Sequence, residues 1–186
     1  MNIHIHTIVR SHIGKPVSSL LQRFLHCTSV KMVKVGDSLP SIELYEDNPT
    51  NKVNLAELAA GKKVILFGVP GAFTPGCSKT HLPGYVSKAD ELKKQGVGEI
   101  ICVSVNDPFV MGAWGKDQNA SGKVRMLADP SAALAKGLDL TVDIAPLGGT
   151  RSKRYSLVAE NGKVTQLQVE PDGTGLSCSL ADKIKL

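Results

Sequence analysis

The chain has 186 residues, 42% of them apolar, which is enough for one folded domain plus a tail, and no apolar run approaches the ~20 residues of a membrane-spanning helix. Its net charge is +5, but Arg10, Lys15, Arg23 and Lys31 supply +4 of this within an acid-free first 31 residues. The remainder is close to neutral, which excludes a basic groove and a nucleic-acid partner, just as the hydropathy excludes a membrane partner.

Four scattered cysteines (Cys27, Cys77, Cys102, Cys178), with no CxxC and no Cys/His cluster, exclude a disulfide framework and a zinc site. They fit a reducing compartment, with catalytic or incidental thiols and no metal or cofactor. Residues 1–31 are rich in Ser and Arg/Lys and place Ile13, Val17, Leu20, Leu21 and Phe24 at helical spacing, the pattern of a mitochondrial presequence. His4, His6, His12 and His26 are scattered in the same tail. A start at Met32 gives a cytoplasmic form, and the terminal Ile184-Lys185-Leu186 approximates a peroxisomal address with Ile where a small residue is wanted.

Residues 32–186 are predicted to form a single domain. Gly36 and Pro40 punctuate an extended entry up to Tyr45, and Asn54 caps a short helix through Leu55, Leu58 and Ala59. Val64–Val69 is a buried strand, Ser78–Lys94 a helix with Leu82, Val86, Ala89 and Leu92 on one face, and Glu99–Val105 a second buried strand. Asp107-Pro108 opens a helix containing Phe109, Met111 and Trp114, Val124–Ala128 is a short strand, and a further helix runs through Ala132–Ala135 to Gly137. Pro146, Gly148 and Gly149 break Leu138–Thr150 into loop. Arg154–Glu160 and Lys163–Glu170 flank Asn161-Gly162, a strong hairpin signal. Leu176–Ile184 is read as a terminal helix containing Cys178. Strand and helix alternation with a late hairpin predicts an α/β fold with a central mixed sheet.

The most informative stretch is Gly68-Val69-Pro70-Gly71-Ala72-Phe73-Thr74-Pro75-Gly76-Cys77-Ser78. A buried strand breaks into Gly and Pro, and a cysteine falls at the start of the next helix. Free backbone N–H groups and the helix dipole favour thiolate over thiol in such a place, and the thiolate is the nucleophile. The alternative is a core cysteine behind a strand. Cys102, inside an apolar strand, reads as packing. Thr74 either caps the helix or offers its hydroxyl to a reacting group.

The motifs Val69–Ser78, His81-Leu82-Pro83-Gly84, Ser104-Val105-Asn106-Asp107, Leu127-Ala128-Asp129-Pro130 and Val169-Glu170-Pro171-Asp172-Gly173-Thr174-Gly175 resemble, in this order, those of the peroxiredoxin family, and most closely its atypical two-cysteine, peroxiredoxin-5 branch. The resemblance spans nearly all of Met32–Ser179 and implies a thioredoxin-like fold and a peroxidase acting on hydrogen peroxide, alkyl hydroperoxides and peroxynitrite, with thioredoxin as reductant. It assigns Cys77 as peroxidatic, Cys178 as resolving through an intramolecular disulfide, Thr74 as the adjacent hydroxyl, Pro70 as the shield, and Arg154 as the arginine of Arg154-Tyr155-Ser156. A guanidinium that stays charged suits a thiolate, and backbone N–H groups at Gly76 and Cys77 suit the charge that develops as an O–O bond breaks. The resemblance also admits a homodimer.

Residues Gly137–Thr150 are shorter than in vertebrate members, where the region walls the pocket and the dimer contact. A one-cysteine peroxidase using an external thiol, or a non-enzymatic redox sensor, also fits the residues. Arg154 as a strand-edge charge and Cys178 as an idle thiol are the bland readings.

Overall fold

The computed structural model describes residues 32–186. The predicted presequence lies outside them. The long apolar run becomes strand β3 (Lys63–Val69), and its low polarity is explained by its place in the sheet. It pairs in parallel with β4 (Val97–Ser104) on one side and antiparallel with β8 (Tyr155–Glu160) on the other. A strand with neighbours on both edges and layers on both faces favours apolar side chains along its buried length, here Val64–Val69. Seven strands follow the order β2-β1-β5-β4-β3-β8-β9, where β1 is Glu43–Glu46, β2 Lys52–Asn54, β5 Arg125–Ala128 and β9 Lys163–Val169. Only β3–β4 and β4–β5 are parallel, so the sheet is mixed as expected.

The pleat of β3 divides the core. Ile65, Phe67 and Val69 pack with Tyr85, Val86 and Ala89 of helix α2 (Leu82–Lys94) and with Met111 and Trp114 of α3 (Pro108–Asp117). Phe67 and Tyr85 stack with ring centroids 4.0 Å apart. Val64 and Leu66 face the other layer, with Leu55 and Ala59 of α1 (Leu55–Ala59) and Leu134 of α4 (Ala133–Gly137). The caps act as the residue types dictate: Asn54 Oδ1 accepts from the N–H groups of Ala56 and Glu57, and Asp107 Oδ1 from that of Val110. Asn161 and Gly162 both adopt positive φ (49° and 74°) at the β8–β9 turn, as a tight hairpin requires.

Two expectations are corrected. Residues 138–150 are not simply loop: β6 (Thr141–Ile144) pairs antiparallel with β7 (Gly149–Ser152) as a separate ribbon. Gly148 and Gly149, at φ of 91° and 99°, provide the reversal between the strands rather than marking irregular chain. The C-terminal segment is not a helix either, and only Ala181–Lys183 forms a 3₁₀ turn. The Ser179 carbonyl is occupied by the His81 ring and the Tyr85 hydroxyl, and the N–H groups of Ser177, Cys178 and Ser179 all go to the Glu170 carboxylate, so the chain runs as an irregular strap. Among the described residues, no helix is long and apolar enough to cross a membrane, and no group of three His, Cys, Asp or Glu could hold a metal ion.

Candidate active site

At the end of β3 the chain enters buried Pro70 and a turn in which the Thr74 hydroxyl donates to the Gly71 carbonyl at 2.9 Å. Phe73 sits in the turn at a φ of 60°, a conformation that is unfavourable for a bulky residue, with its exposed ring 6.4 Å from that of Trp114. Helical backbone begins at Pro75 and continues into α2, but residues Cys77–His81 widen into a π turn, and the Leu82 N–H bonds the Cys77 carbonyl five residues back. Pro83 is the physical cause: it has no N–H to donate, and its ring crowds the carbonyl four residues before it, so the ladder opens there. Cys77 is thereby placed in the first turn of a long helix, with its side chain completely buried.

Arg154 reaches this cysteine because of strand register. Tyr155 pairs with Gly68, so the residue before it emerges beside the end of β3, where the chain departs toward Cys77. Arg154 is 4% exposed, and its Nη1 donates to Cys77 Sγ at 3.3 Å. Its Nε donates to the Thr174 carbonyl at 2.9 Å and its backbone N–H to the Gly173 carbonyl at 2.7 Å. Gly76 leaves room for it, since a Cβ there would stand 3.2 Å from Arg154 Nη2 and 3.3 Å from Leu176 Cδ1.

The same Nη1 lies 3.3 Å from His81 Nδ1, and His81 Nε2 lies 3.0 Å from the Ser179 carbonyl. A carbonyl only accepts and a guanidinium only donates, so the hydrogen sits on Nε2 and the ring is neutral. Burial pushes the His81 pKa down to about 4, with the Arg154 charge acting in the same direction and the Ser179 carbonyl opposing it. His81 was visible in the sequence only as part of a motif; its role as the back wall of Arg154 was not.

Arg151 was missed as well. It donates from Nε to the Pro70 carbonyl at 2.7 Å and from Nη2 to Asn106 Oδ1 at 2.8 Å, and that oxygen also accepts from the Ala72 N–H. Arg151 thus ties β7 to both walls of the Cys77 loop. Its spacing of three from Arg154, together with the Ser104–Asp107 motif, was the available signal.

Cys178 is a free, half-buried thiol on the strap, as Cys77 is free in the helix. Glu170, itself 1% exposed, accepts from the backbone N–H of Ser177, Cys178 and Ser179 and from the hydroxyls of Ser177 and Ser179, at 2.6–2.9 Å. Burial alone would raise the Glu170 pKa, but these donors outweigh it and bring it down to about 2. Burial and the neighbouring Glu170 charge push the Cys178 thiol up. Cys102 lies wholly inside β4, and burial pushes it well above the ordinary thiol value. Of the residues singled out from sequence, the structure brings Cys77, Gly76 and Arg154 together and places Pro70 in the adjoining loop. The Thr74 hydroxyl goes to Gly71 and not to the sulfur.

A central mixed sheet flanked by helices, with one cysteine rather than a CxxC pair at the start of the helix after β3, defines a thioredoxin-like protein. The Redoxin family model matches residues 34–184. Peroxiredoxin-2D of Arabidopsis thaliana is 47% identical over 157 residues, covering 82% of this chain and 97% of that protein. Reduced Prx3 from Vibrio vulnificus in complex with hydrogen peroxide superposes with a TM-score of 0.77 at 48% identity, over 82% of this chain and 97% of that one. Peroxiredoxin 5 from Alvinella pompejana does so with a TM-score of 0.70 at 41% identity, over 76% and 92%. The chain belongs to the peroxiredoxin family and is a peroxidase oxidoreductase.

Proposed function

We propose that Cys77 is the peroxidatic cysteine of a thiol peroxidase that reduces hydrogen peroxide, alkyl hydroperoxides and peroxynitrite, and that Cys178 resolves it as an intramolecular disulfide that thioredoxin then reduces. The observation that carries this reading is the Arg154 guanidinium, buried and donating to Cys77 Sγ at 3.3 Å. The Cys77 thiolate attacks one peroxide oxygen and an S–O bond forms as the O–O bond breaks; the alkoxide or hydroxide that departs takes a proton from solvent, whereas peroxynitrite releases nitrite as the anion. Arg154, able to donate to sulfur and oxygen together, holds the two in line. The Thr74 hydroxyl, whose hydrogen goes to Gly71, keeps lone pairs to accept from the incoming peroxide, and Gly76 and Cys77 present backbone N–H groups at the helix start. Pro70 shields the site from water.

The Cys77→Ser variant is expected to lose fast peroxide consumption, whereas Cys178→Ser keeps one turnover. Mass spectrometry after one equivalent of peroxide separates the readings: the internal disulfide loses two hydrogens, while a one-cysteine enzyme gains an oxygen. A non-enzymatic sensor would show no NADPH oxidation with thioredoxin and its reductase. The same reading takes the protein as a peroxiredoxin-5-type enzyme able to form a homodimer, delivered to mitochondria by residues 1–31, cytoplasmic from Met32, with a peroxisomal share through the C-terminus. Fluorescent fusions that mask each end in turn check the addresses, and light scattering checks the dimer.

A further inference from the structure

Glu170 stands out as a buried carboxylate that forms no ion pair among the described residues. Three consecutive backbone N–H groups and one hydroxyl converge on its Oε1, and a second hydroxyl meets Oε2. Successive N–H groups gathered on one anion form a nest, an arrangement that fixes a backbone segment rather than filling a core. The segment fixed is the one that contains Cys178.

The strap is anchored by three sets of bonds. Asp172 Oδ1 accepts from the N–H groups of Thr174 (2.9 Å) and Gly175 (2.6 Å), which holds the turn whose carbonyls at Gly173 and Thr174 receive Arg154. Glu170 holds the N–H groups of residues 177–179 beyond it, and His81 and Tyr85 hold the Ser179 carbonyl. Releasing the Glu170 bonds therefore leaves in place the turn that keeps Arg154 against Cys77, because that turn is held by Asp172.

We propose that Glu170 is a positioning residue that latches the Cys178 segment in the thiol state, so that its release limits the rate of disulfide formation. This rests on Cys178 being the resolving cysteine. In that step the Cys178 sulfur attacks the sulfur of Cys77 sulfenic acid, an S–S bond forms as the S–O bond breaks, and the hydroxide leaves as water with the proton that Cys178 gives up. Glu170 restrains the step twice, by holding the Cys178 N–H at 2.9 Å and by placing a negative charge beside the thiol that must ionise. A slow second step leaves the sulfenic acid exposed to further peroxide, which carries it to sulfinic acid.

Full-length protein followed by stopped-flow fluorescence of Trp114 provides the test. This is the sole tryptophan, and its Nε1 bonds Ser78 Oγ next to Cys77. With hydrogen peroxide, Glu170→Gln is expected to leave the first, sulfenic-forming phase within about twofold of wild type and to speed the disulfide-forming phase roughly tenfold, the effect of removing one charged acceptor. The peroxide concentration that converts half the enzyme to sulfinic acid should rise in parallel. Ser177→Ala with Ser179→Ala, which removes donors and keeps the carboxylate, should move the second phase in the same direction by less, and serves if Glu170→Gln fails to fold. A second phase unchanged or slowed in a folded variant, or both phases slowed together, overturns the latch while the peroxidase reading stands. Absence of a Cys77–Cys178 disulfide in peroxide-treated wild type overturns the resolving assignment and the latch with it.

Discussion

Replacing Arg154 by lysine separates charge from geometry at the site. The guanidinium spans three partners at once: Cys77 Sγ and His81 Nδ1, each 3.3 Å from Nη1, and the Thr174 carbonyl, 2.9 Å from Nε. A lysine ammonium keeps the positive charge, but it is a point donor on a flexible stem and cannot bridge the sulfur and the carbonyl from one fixed plane. Hydrogen bonds to charged groups contribute about 1.5–3 kcal/mol each, so losing the one that follows sulfur into the transition state slows peroxide attack by roughly 10- to 100-fold. The measurement is the second-order rate constant for the Trp114 fluorescence change with hydrogen peroxide, alongside circular dichroism to establish that the fold is kept. A folded Arg154→Lys variant within about threefold of wild type would refute the claim that the fork, and not the bare charge, organises the reaction.

Three further outcomes follow from the same geometry. His81 is held neutral, so between its unfolded pKa of 6.5 and its folded value of about 4 only the unfolded chain takes up the proton; stability is complete above pH 6.5 and falls by about 3 kcal/mol as pH drops to 4, and urea titrations of His81→Asn should show that part of the slope gone. Glu170 acts lower on the scale: its contribution is present above the ordinary carboxylate value of 4.5 and lost as pH falls toward 2, so Glu170→Gln should flatten the acid limb of the same titration. Gly68→Ala would set a Cβ 2.2 Å from Tyr155 Cε1 and 2.8 Å from Ser152 Oγ, both buried, and should cost about 2 kcal/mol and lower the melting temperature by roughly 5 °C in calorimetry.

Elements whose signals are local were legible in the sequence. The apolar run of β3, the Asn54 and Asp107 caps and the Asn161-Gly162 turn each depend on residues that touch within a few positions, and each is found where it was expected. The placement of Cys77 at a helix start was legible for the same reason, since strand, Gly/Pro break and helix are consecutive. The C-terminal strap was not, because what prevents a helix there is Glu170 reaching forward and His81 and Tyr85 arriving from another element. The β6–β7 ribbon was misread because Gly148-Gly149 marks both loops and tight reversals, and only the pairing of Thr141 with Ser152 tells them apart. Arg151 and the role of His81 are not legible in the sequence, because both depend wholly on tertiary partners.

The proposed chemistry makes opposite demands on two parts of one short segment. Attack on a peroxide needs Cys77 and Arg154 held rigidly, since small misplacements of reacting atoms are costly, whereas resolution by Cys178 needs its sulfur brought within bonding distance of Cys77. The fold meets the first demand with register: Arg154 hangs from the β8 position opposite Gly68, and Thr174 fixes its far side. It leaves the second to hydrogen bonds alone, because residues 177–179 contribute no large apolar side chain to either core cluster. Bonds to a carboxylate can be exchanged for bonds to water one at a time, while a buried aromatic anchor would have to be withdrawn whole. A strap fastened through Glu170 therefore defines one resting position for Cys178 by bonds that water can replace singly, which is what the proposed latch requires.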